Sequence, residues 1–256
     1  MGEKVALVTG ASSGIGEALA EELASRGFRV AAVARRRDRL AALVARIEGR
    51  GGEAIAVEAD VSHDRDLDGA VASILARWDR IDVAIANAGI GEPGLFERQN
   101  VDDFRRVLDT NVLGVVRTAH AVLPALTATR GSFAAVGSVS SYLASPGTSA
   151  YTASKHAVRG LCATLAAEWA ARGVSVTHVA PGFVESEIRT GGTRTDPVPA
   201  WLVMPREEAA RQIATAVLDR RDEIVVTGHG KVAVSLARHV PALVAGALRL
   251  AARRVP

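Results

Sequence analysis

Short apolar runs rich in Val, Ala and Ile alternate with longer amphipathic segments along most of this chain. Helices are expected to end near Gly27 and Gly49 and to cover residues near 64–78, 102–128, 150–172 and 206–220. Strands are expected at KVALVTG, FRVAAVA, EAIAVEAD, IDVAIANAG, GSFAAVGS, GVSVTHVAPG and DEIVVTG. Alternating strands and helices imply right-handed crossovers and a parallel sheet with helices on both faces. The pattern therefore predicts an α/β, doubly wound fold with a seven-stranded parallel sheet.

The organisation of the chain favours one domain. Its 256 residues lie within the range of single α/β domains, and no linker rich in Ser, Gly or Pro divides the repeating units. Hydrophobic residues make up 48% and aromatic residues 4%, so Ala, Val, Leu and Ile must form the core, which suits helices packed on a buried parallel sheet. We predict one domain over residues 1–230 and a tail over 231–256.

One irregular stretch, residues 183–204, follows a predicted strand and contains Gly191, Gly192, Pro197 and Pro199. Loops of this length are usually functional or disordered. We expect a lid over a mainly apolar ligand. The side chains that would form its apolar wall, unless some belong to the core, are Phe183, Val184, Ile188, Trp201, Leu202 and Met204.

Cysteine and histidine usage narrows the compartment and the chemistry. The single cysteine, Cys162, rules out an internal disulfide and fits a reducing compartment. The N-terminal MGEKVALVTG lacks the charged segment and long apolar run of a signal peptide, so we expect a cytoplasmic location. Six histidines and one cysteine form no paired spacing typical of zinc ligands, and we predict no catalytic metal.

Basic residues are concentrated in the tail, residues 231–256. The tail carries +5 and no acid, while the whole chain carries +3, so the remainder is −2. The high isoelectric point therefore belongs to the tail, and the body lacks clusters of aromatic and basic residues. We expect no nucleic-acid binding.

The tail also has the pattern of an amphipathic helix that begins near Pro241. Arg249 and Arg253 share one face, whereas the opposite face is apolar: Val240, Leu243, Val244, Ala247 and Ala251. Arg238, His239, Pro241 and Arg249 interrupt the apolar run, which argues against a transmembrane span. The tail could pack on the protein itself, on a neighbouring subunit or on an anionic membrane surface.

The first predicted strand runs directly into TGASSGIG, residues 9–16, and then into a helix. Its three glycines allow a tight turn and a close approach of the backbone to a pyrophosphate, whose charge the free N–H groups of a helix N-terminus favour. A glycine-rich turn alone is weak evidence, but its place at the start of a doubly wound pattern strengthens it. Six residues of the turn are expected to contact a dinucleotide: Gly10, Ser12, Ser13, Gly14, Ile15 and Gly16.

The end of the second predicted strand indicates which dinucleotide is bound. A site selective for NAD usually places an acid there to hold the ribose hydroxyls. Here Ala34 is followed by Arg35, Arg36 and Arg37. A guanidinium pairs with a 2′-phosphate in a planar, bidentate fashion, so we predict NADP(H) with Arg35 as its ligand. The alternative is that these arginines start a solvated helix, and Arg36 and Arg37 could be surface residues even if Arg35 is not.

Several motifs follow in one order along the chain: TGASSGIG, ADV at 59–61, ANAG at 86–89, Asn111 in LDTNVLG, Ser138 thirteen residues before Tyr151, YTASK, and PG at 181–182. Over about residues 4–228 the chain resembles the short-chain dehydrogenase/reductases. The resemblance implies a Rossmann-type fold and an oxidoreductase that uses a nicotinamide cofactor. The tail departs from the compact pattern of that family.

The resemblance assigns the proton transfer to Tyr151. The phenol would be the general acid in carbonyl reduction and the base in alcohol oxidation, which requires its pKa to fall from about 10 toward the working pH. Lys155, one helical turn later, would lower that pKa by its positive charge and would hold the nicotinamide ribose. Both residues are therefore expected to contact the cofactor.

Two further catalytic residues are implied. Ser138 would donate a hydrogen bond to the substrate oxygen as negative charge develops there. Ser140 and Ser141 are rivals for this role, although spacing favours Ser138, and Ser140 is expected on the substrate side. Asn111 lies within a predicted helix, where Asn is a poor helix former. In the family this position holds a water that links Lys155 to solvent; a structural role in a helix distortion is also open.

The remaining cofactor contacts are also carried over from the resemblance. Asp60 would contact the adenine edge, and the others are Val61, Asn87, Ala88, Gly89, Pro181, Gly182 and Val184. Ala86 replaces the first Asn of the usual Asn-Asn-Ala-Gly, which weakens the adenosine assignment. Ser186 stands where the family commonly has a threonine that reaches the nicotinamide carboxamide, and Glu185 has no assigned role.

Together these features predict an NADP(H)-dependent oxidoreductase that moves a hydride between the nicotinamide and a ketone or secondary alcohol, with a substrate of mainly apolar character. One alternative is a 3-oxoacyl thioester reductase of fatty acid or polyketide synthesis, for which the tail or a basic patch would receive a carrier protein. Another is a catalytically idle cofactor-binding or redox-sensing module. We expect a homo-oligomer, a dimer or a tetramer, with peripheral membrane contact through the tail as a further option.

Overall fold

The computed structural model describes residues 3–190 and 198–252. Its centre is a seven-stranded sheet in which all neighbouring strands are parallel, in the order β3-β2-β1-β4-β5-β6-β7. The strands are β1 (Val5–Thr9), β2 (Arg29–Ala34), β3 (Ala54–Glu58), β4 (Val83–Ala86), β5 (Ser132–Val136), β6 (Ser175–Ala180) and β7 (Glu223–Val225). The doubly wound α/β prediction is confirmed, including the seventh strand.

Helices cover both faces of the sheet. They are α1 (Gly14–Ser25), α2 (Arg37–Glu48), α3 (Asp66–Trp78), α4 (Val101–Leu108), α5 (Gly114–Thr129), α6 (Ser149–Trp169), α7 (Glu187–Thr190), α8 (Arg206–Leu218), α9 (Gly228–His239) and α10 (Pro241–Ala252). One core lies under α1, α2 and α8, and a second lies under α3, α5 and α6. Since both faces of the sheet are covered, the central strands β1 and β5 are buried at every residue, which explains their unbroken apolar sequence.

The fold places a crevice between β1 and β4. The chain winds from β1 toward β3 in one direction and from β4 toward β7 in the other, so the order reverses between these two neighbours. In open parallel sheets such a switch point leaves a gap beyond the carboxyl ends of the strands, where ligands bind. The glycine-rich turn after β1 and the ANAG segment after β4 both lie at this gap.

The helix predicted near 102–128 is interrupted in the structure. A single π-helical turn, Asp109–Leu113, separates α4 from α5. A π-turn inserts an extra residue and commonly occurs at functional sites. Asn111 lies within this turn and is fully buried.

The region after β6 matches the predicted lid only in part. Val184 forms a parallel bridge with Met204, and both pack into or against the core rather than lining a pocket. Ile188 and Trp201 are exposed. Gly191, Gly192 and Pro197 lie outside the described residues.

The tail consists of two helices rather than one. Helix α9 begins at Gly228, where the Thr227 hydroxyl accepts a hydrogen bond from the Gly230 N–H, so the predicted boundary at 230 falls inside its first turn. Helix α10 begins at Pro241, as predicted.

Candidate active site

The glycine-rich turn is built around positions where a side chain does not fit. Gly10 and Gly14 adopt φ of +65° and +57°, a left-handed conformation that favours glycine. At Gly16 a Cβ would lie 2.4 Å from the Gly10 carbonyl oxygen and 2.4 Å from Asn87 Nδ2. The first N–H groups of α1 have no partner within the helix, and the side chain of its N-cap, Ser13, makes no capping hydrogen bond. This arrangement leaves backbone donors for an anionic ligand, as the sequence predicts.

A set of hydrogen bonds joins this turn to the end of β4. The Thr9 hydroxyl accepts the N–H groups of Asn87 at 3.0 Å and Ala88 at 3.1 Å. Asn87 Nδ2 donates to the Thr9 carbonyl at 3.0 Å. No role was predicted for Thr9 from the sequence, although its position as the first residue of TGASSGIG indicates one. Thr9 and Asn87 therefore hold the two sides of the crevice together.

The segment after β3 presents a charged carboxylate at the predicted adenine position. Asp60 accepts hydrogen bonds from the Ser62 N–H at 2.9 Å and the Ser62 hydroxyl at 2.8 Å. Burial alone would raise the pKa of Asp60, but these hydrogen bonds and the charge of Arg35 outweigh it and lower that pKa. Val61 is buried against Gly114, where a Cβ would lie 2.8 Å from Val61 Cγ2. Val61 thus helps to seat α5 beside the crevice.

The arginines after β2 have different surroundings. Arg35 is 70% exposed and makes one long ion pair, 3.4 Å from Asp60. Arg36, for which a surface position was left open, is partly buried and donates to the hydroxyls of Ser12 at 2.9 and 3.0 Å and of Ser13 at 2.8 Å. Its side chain turns back toward the glycine-rich turn. Of the arginines in this run, Arg36 is the one that contacts the predicted pyrophosphate turn directly.

Glu187, in the lid region, pairs with Arg36 and with Arg39. Glu187 accepts a hydrogen bond from Arg36 Nη1 at 2.8 Å and also pairs with Arg39. Hydrogen bonds from Arg39 and Arg36 lower the pKa of Glu187 to about 2. Glu187 and Arg39 border a polar cavity of about 630 Å³ that opens beside Ser12, Ser13 and Gly14. Glu187 had no predicted role, and only the fold brings it to these arginines.

The predicted catalytic side chains come together at the ends of β5 and the start of α6. The Ser138 side chain lies next to the Tyr151 phenol and acts to lower its pKa. Lys155 Nζ lies 5.4 Å from the centre of the Tyr151 ring and donates to the Val136 carbonyl at 2.8 Å. Lys155 is 3% exposed and Ser138 is buried. Ser140 is partly exposed beside this group, and its N–H donates to the Ser138 hydroxyl at 3.1 Å.

The charge states of these groups follow from burial. Burial raises the pKa of Tyr151 above its ordinary value of 10, and the hydrogen bond with Ser138 opposes that rise. Burial lowers the pKa of Lys155 to about 8, because an ammonium loses solvation there. The sequence-based expectation that Lys155 lowers the pKa of Tyr151 is therefore not met in the chain alone. A phenol that keeps its proton suits the role of a proton donor.

Asn111 acts as a clamp across three elements. Its Oδ1 accepts the Ile90 N–H at 2.8 Å, and its Nδ2 donates to the Ile90 carbonyl at 2.9 Å and to the Ser154 hydroxyl at 3.0 Å. The same oxygen would lie 3.2 Å from a Cβ at Gly89, which explains the glycine there. Both amide N–H groups and one of the two acceptor positions of the oxygen are thus used within the protein, which supports a structural role for the side chain. Asn111 fixes the loop after β4 against α6.

A polar network that the sequence did not reveal lies behind Lys155. The Ser141 hydroxyl donates to the Lys155 carbonyl at 2.8 Å and lies 3.3 Å from His178 Nε2. Tyr142 bonds to Glu223 and lies 3.3 Å from His178 Nδ1. Burial lowers the pKa of His178 to about 4, whereas burial and then Glu223 raise the pKa of Tyr142 to about 12. Ser141 is therefore a positioning residue for the backbone of α6 and not a rival to Ser138.

The segment after β6 is attached to α9. The Pro181 carbonyl accepts the Val139 N–H at 2.9 Å. A Cβ at Gly182 would lie 2.1 Å from the Thr227 hydroxyl and 2.6 Å from His229 Nε2. His229 accepts the Phe183 N–H at 3.2 Å. The predicted Pro-Gly motif thus lies where two segments of the chain cross closely.

Two predicted nicotinamide contacts in this segment are placed as follows. The Val184 side chain is buried in the core, so only its backbone remains to meet a cofactor. Ser186 reaches the glycine-rich turn, since a Cβ at Gly14 would lie 3.3 Å from Ser186 Cβ. Glu185 borders the polar cavity.

The geometry joins a glycine-rich anion cradle to a Ser-Tyr-Lys group at one switch point. The sequence profile of the family described as short chain dehydrogenase matches residues 4–196. The chain belongs to the short-chain dehydrogenases. Like other members, it is an oxidoreductase that acts on CH–OH or ketone groups.

Relatives and solved structures agree with this assignment. A 3-oxoacyl-[acyl-carrier-protein] reductase of Synechocystis is 36% identical over 216 residues, which is 84% of this chain and 87% of that protein. A short-chain dehydrogenase/reductase of Burkholderia phymatum in complex with NAD superposes with a TM-score of 0.84 at 25% identity, covering 94% of this chain and 95% of the other. An alcohol dehydrogenase of Thermococcus sibiricus complexed with 5-hydroxy-NADP gives 0.80 at 29% identity, covering 88% and 96%.

The site of this short-chain dehydrogenase fits a nicotinamide dinucleotide. The glycines of the turn leave room where a Cβ would collide. Among residues 3–190 and 198–252, the buried Lys155 ammonium has one hydrogen-bond acceptor, the Val136 carbonyl, for its three N–H groups. An ammonium with donors to spare suits ribose hydroxyls. The residues present are therefore those that such a cofactor requires.

Proposed function

We propose that this short-chain dehydrogenase is NADP(H)-dependent and reduces a ketone, or oxidises the matching secondary alcohol, with Tyr151 as the general acid or base. The observation that carries the proposal is the grouping of Ser138, Tyr151 and Lys155, with the Lys155 ammonium 5.4 Å from the centre of the Tyr151 ring. The raised pKa of Tyr151 keeps the phenol protonated in the chain alone, as the proton donor in carbonyl reduction must be. Both tyrosine and lysine belong to α6, a rigid support for the group.

The residues of the chain divide the work between them. A bound nicotinamide supplies or accepts the hydride. In reduction, the Tyr151 phenol transfers its proton to the carbonyl oxygen, which becomes a hydroxyl. Ser138 donates a hydrogen bond to that oxygen while negative charge develops on it. Lys155 places a positive charge near the phenolate that remains, which stabilises it.

The preference for NADP(H) rests on the charges beside the glycine-rich turn. The three residues directly after β2, Arg35–Arg37, include no acid, and a carboxylate there would repel a 2′-phosphate. Arg35, Arg36 and Arg39 approach this region, and Arg36 already bonds to two serine hydroxyls of the turn. Glu187 pairs with Arg36 and Arg39 in the chain alone, so a 2′-phosphate would compete with a carboxylate for the same guanidinium groups.

An apolar substrate is supported by the lid region. Ile188 Cγ2 would lie 3.3 Å from a Cβ at Gly91, so the segment after β6 reaches across the crevice to the loop after β4. Ile188 and Trp201 expose apolar surface on that segment. A substrate held between these loops would meet mostly hydrocarbon and the polar group of Ser138 and Tyr151 at one end.

A panel of ketones tests the proposal through NADPH oxidation. The Tyr151→Phe variant should lose at least about 100-fold in kcat because the proton donor is removed. Tyr142→Phe is the matched control, because it removes the only other phenol in the chain and should keep most activity. If no ketone consumes NADPH, or if both variants behave alike, the proposed role of Tyr151 is wrong.

A second candidate function is reduction of a 3-oxoacyl thioester. The name of the Synechocystis relative favours it, and the cationic tail could receive an acidic carrier protein. Turnover of a 3-oxoacyl thioester far above that of simple ketones would select this candidate. A catalytically idle module is disfavoured because Asn111, Ser138, Tyr151 and Lys155 are all present at one site. NADPH turnover with any carbonyl compound would exclude that module.

We infer a catalytic unit that corresponds to residues 1–230, a homo-oligomer of two or four chains, and a cytoplasmic location. Light scattering of the purified protein measures the oligomer directly. Fractionation of cells that express the protein tests the location.

A further inference from the structure

Helices α9 and α10 expose rows of apolar side chains. On α9, Val232 and Leu236 are four residues apart and 61% and 48% exposed. On α10, Leu243 and Leu250 are seven residues apart and 72% and 64% exposed. Residues at these spacings share one helix face. Each tail helix therefore presents an apolar row to solvent.

The apolar residues of α10 differ in exposure. Val244 and Leu248 are partly buried, whereas Leu243 is exposed, and α10 packs on α9. Leu243 and Val244, which the sequence places on one apolar face, therefore have different surroundings. Leu243 and Leu250 are left largely exposed by the part of the chain that the structure describes.

The charged side chains on α9 and α10 have one sign. No acidic residue occurs after Glu223 in the sequence. Lys231 and Arg249 are exposed and form no ion pair with any residue in 3–190 or 198–252. Arg238 instead pairs with Glu223 and stacks on the Tyr142 ring, 4.9 Å from its centre, which fixes α9 to the body. The surface thus combines exposed leucine with uncompensated positive charge.

The shape of the pair suits a membrane surface better than a membrane crossing. By length and composition, α9 and α10 together are apolar enough to span a bilayer, as is the run Val101–Thr129, but the pair bends by 114° at its break. Each arm has 12 residues and so is about 18 Å long, shorter than the hydrocarbon core of about 30 Å. Val101–Thr129 packs on the sheet and is broken by the π-turn.

We propose that α9 and α10 form a surface that binds anionic lipid bilayers. Its apolar rows are Val232 and Leu236 on α9, and Leu243 and Leu250 on α10. The apolar rows enter the boundary of the acyl chains, and Lys231 and Arg249 meet the headgroups. The surface is fixed next to the active site, because His229 of α9 accepts the Phe183 N–H and stacks on that ring at 5.2 Å. Membrane binding therefore brings the lid region close to the bilayer.

Electrostatics favour lipid over a second copy of this chain. A two-fold contact through these helices would place the same cationic surface opposite itself, and like charges repel. An anionic bilayer complements both the charge and the exposed leucines. An acidic carrier protein complements the charge but gives no reason for two apolar rows.

Co-sedimentation of the full chain with vesicles tests the proposal. Vesicles that contain phosphatidylglycerol should pellet the protein, vesicles of phosphatidylcholine alone should bind it far less, and high salt should release it. The double variant Leu243→Glu, Leu250→Glu should lower the partition coefficient at least about tenfold. Arg249→Gln should lower it about fivefold.

A matched control separates this surface from exposed apolar residues in general. Val101→Glu introduces one negative charge at an exposed valine in the first turn of α4 and should leave vesicle binding unchanged. Both variants should keep the thermal unfolding temperature and the NADPH turnover of the unaltered chain in solution, since the altered side chains are exposed.

Three results would overturn the proposal. The first is no sedimentation with anionic vesicles. The second is equal loss of binding in the tail variant and in Val101→Glu. The third is a tail variant that still binds vesicles but either dissociates from an oligomer in light scattering or loses a complex with an acidic carrier protein. Either outcome would assign the surface to that partner. None of these readings depends on the substrate or the cofactor preference.

Discussion

Replacing Asn111 by alanine should destabilise this fold more than the loss of one side chain on a helix usually does. The amide makes three hydrogen bonds, two with the backbone of Ile90 and one with the Ser154 hydroxyl, and both Asn111 and Ser154 are fully buried. A typical hydrogen bond contributes about 1 kcal/mol net, and a buried polar group left without a partner costs about 1–3 kcal/mol. Alanine leaves the Ile90 N–H and carbonyl without their partner.

The magnitude must be reduced for two compensations. Ser154 keeps its hydrogen bond to the Tyr151 carbonyl at 2.7 Å, and Ile90 is partly accessible, so water can replace part of what is lost. Alanine is also a better helix former than asparagine by roughly 0.5 kcal/mol. We expect the free energy of unfolding to fall by about 2–4 kcal/mol.

Urea unfolding followed by circular dichroism measures this loss. With m at about 3 kcal/mol/M, the midpoint should fall by roughly 1 M while m stays constant. Thr118→Val is the matched control, because it removes one buried hydroxyl that bonds only within α5, to the Gly114 carbonyl at 2.7 Å. The control should lose about 1 kcal/mol or less.

A double-mutant cycle locates the clamp. Asn111→Ala and Ser154→Ala should show a coupling of about 0.5–1.5 kcal/mol, since the two side chains are direct partners. Turnover should fall as well, because the loop that carries Gly89 loses its attachment. If Asn111→Ala is no less stable than Thr118→Val, the reasoning that Asn111 joins three elements is refuted.

Further variants probe the charges and the turn. Lys155→Met should remove a pH dependence of stability. Because the pKa of Lys155 is lowered in the folded chain, the unfolded chain binds more protons between pH 8 and about 10. The free energy of unfolding of the unaltered chain, relative to that of the variant, should therefore rise by about 1–3 kcal/mol over this range, and a difference that does not change with pH would contradict the reasoning. Gly16→Ala should abolish cofactor binding, measured by NADPH fluorescence, because its Cβ would lie 2.4 Å from backbone; Gly69→Ala, which meets open space, is the control. Glu187→Gln should tighten NADPH binding several-fold, because it frees Arg36 for the 2′-phosphate, and should leave NADH binding unchanged. An equal effect on both cofactors would show that Glu187 does not influence recognition of the 2′-phosphate.

Local pattern was sufficient for much of the fold. Strands buried on both faces leave an unbroken apolar run, and the seven runs of this type all became strands of one parallel sheet. The motif around Ser138, Tyr151 and Lys155 lies on two adjacent elements, β5 and α6, so their approach follows from the order of those elements. Spacing along one helix already placed Lys155 one turn from Tyr151.

Contacts between distant parts of the chain could not be predicted in this way. Arg36 and Glu187 are separated by 151 residues, and their pairing depends on how the segment after β6 crosses the sheet edge. The pKa directions of Tyr151 and Lys155 depend on burial, which no spacing of residues reports. The outward turn of Leu243 depends on which face of α10 meets α9.

The sequence by itself determined the sheet and the glycine-rich turn, and it singled out Ser138, Tyr151 and Lys155, because periodicity and short motifs are local properties. Tertiary structure alone decided which arginine meets the turn, how Asn111 clamps the loop after β4, and which face of the tail stays exposed. Those outcomes are set by packing between elements far apart in the chain, where desolvation and steric fit select one arrangement among many that local sequence allows.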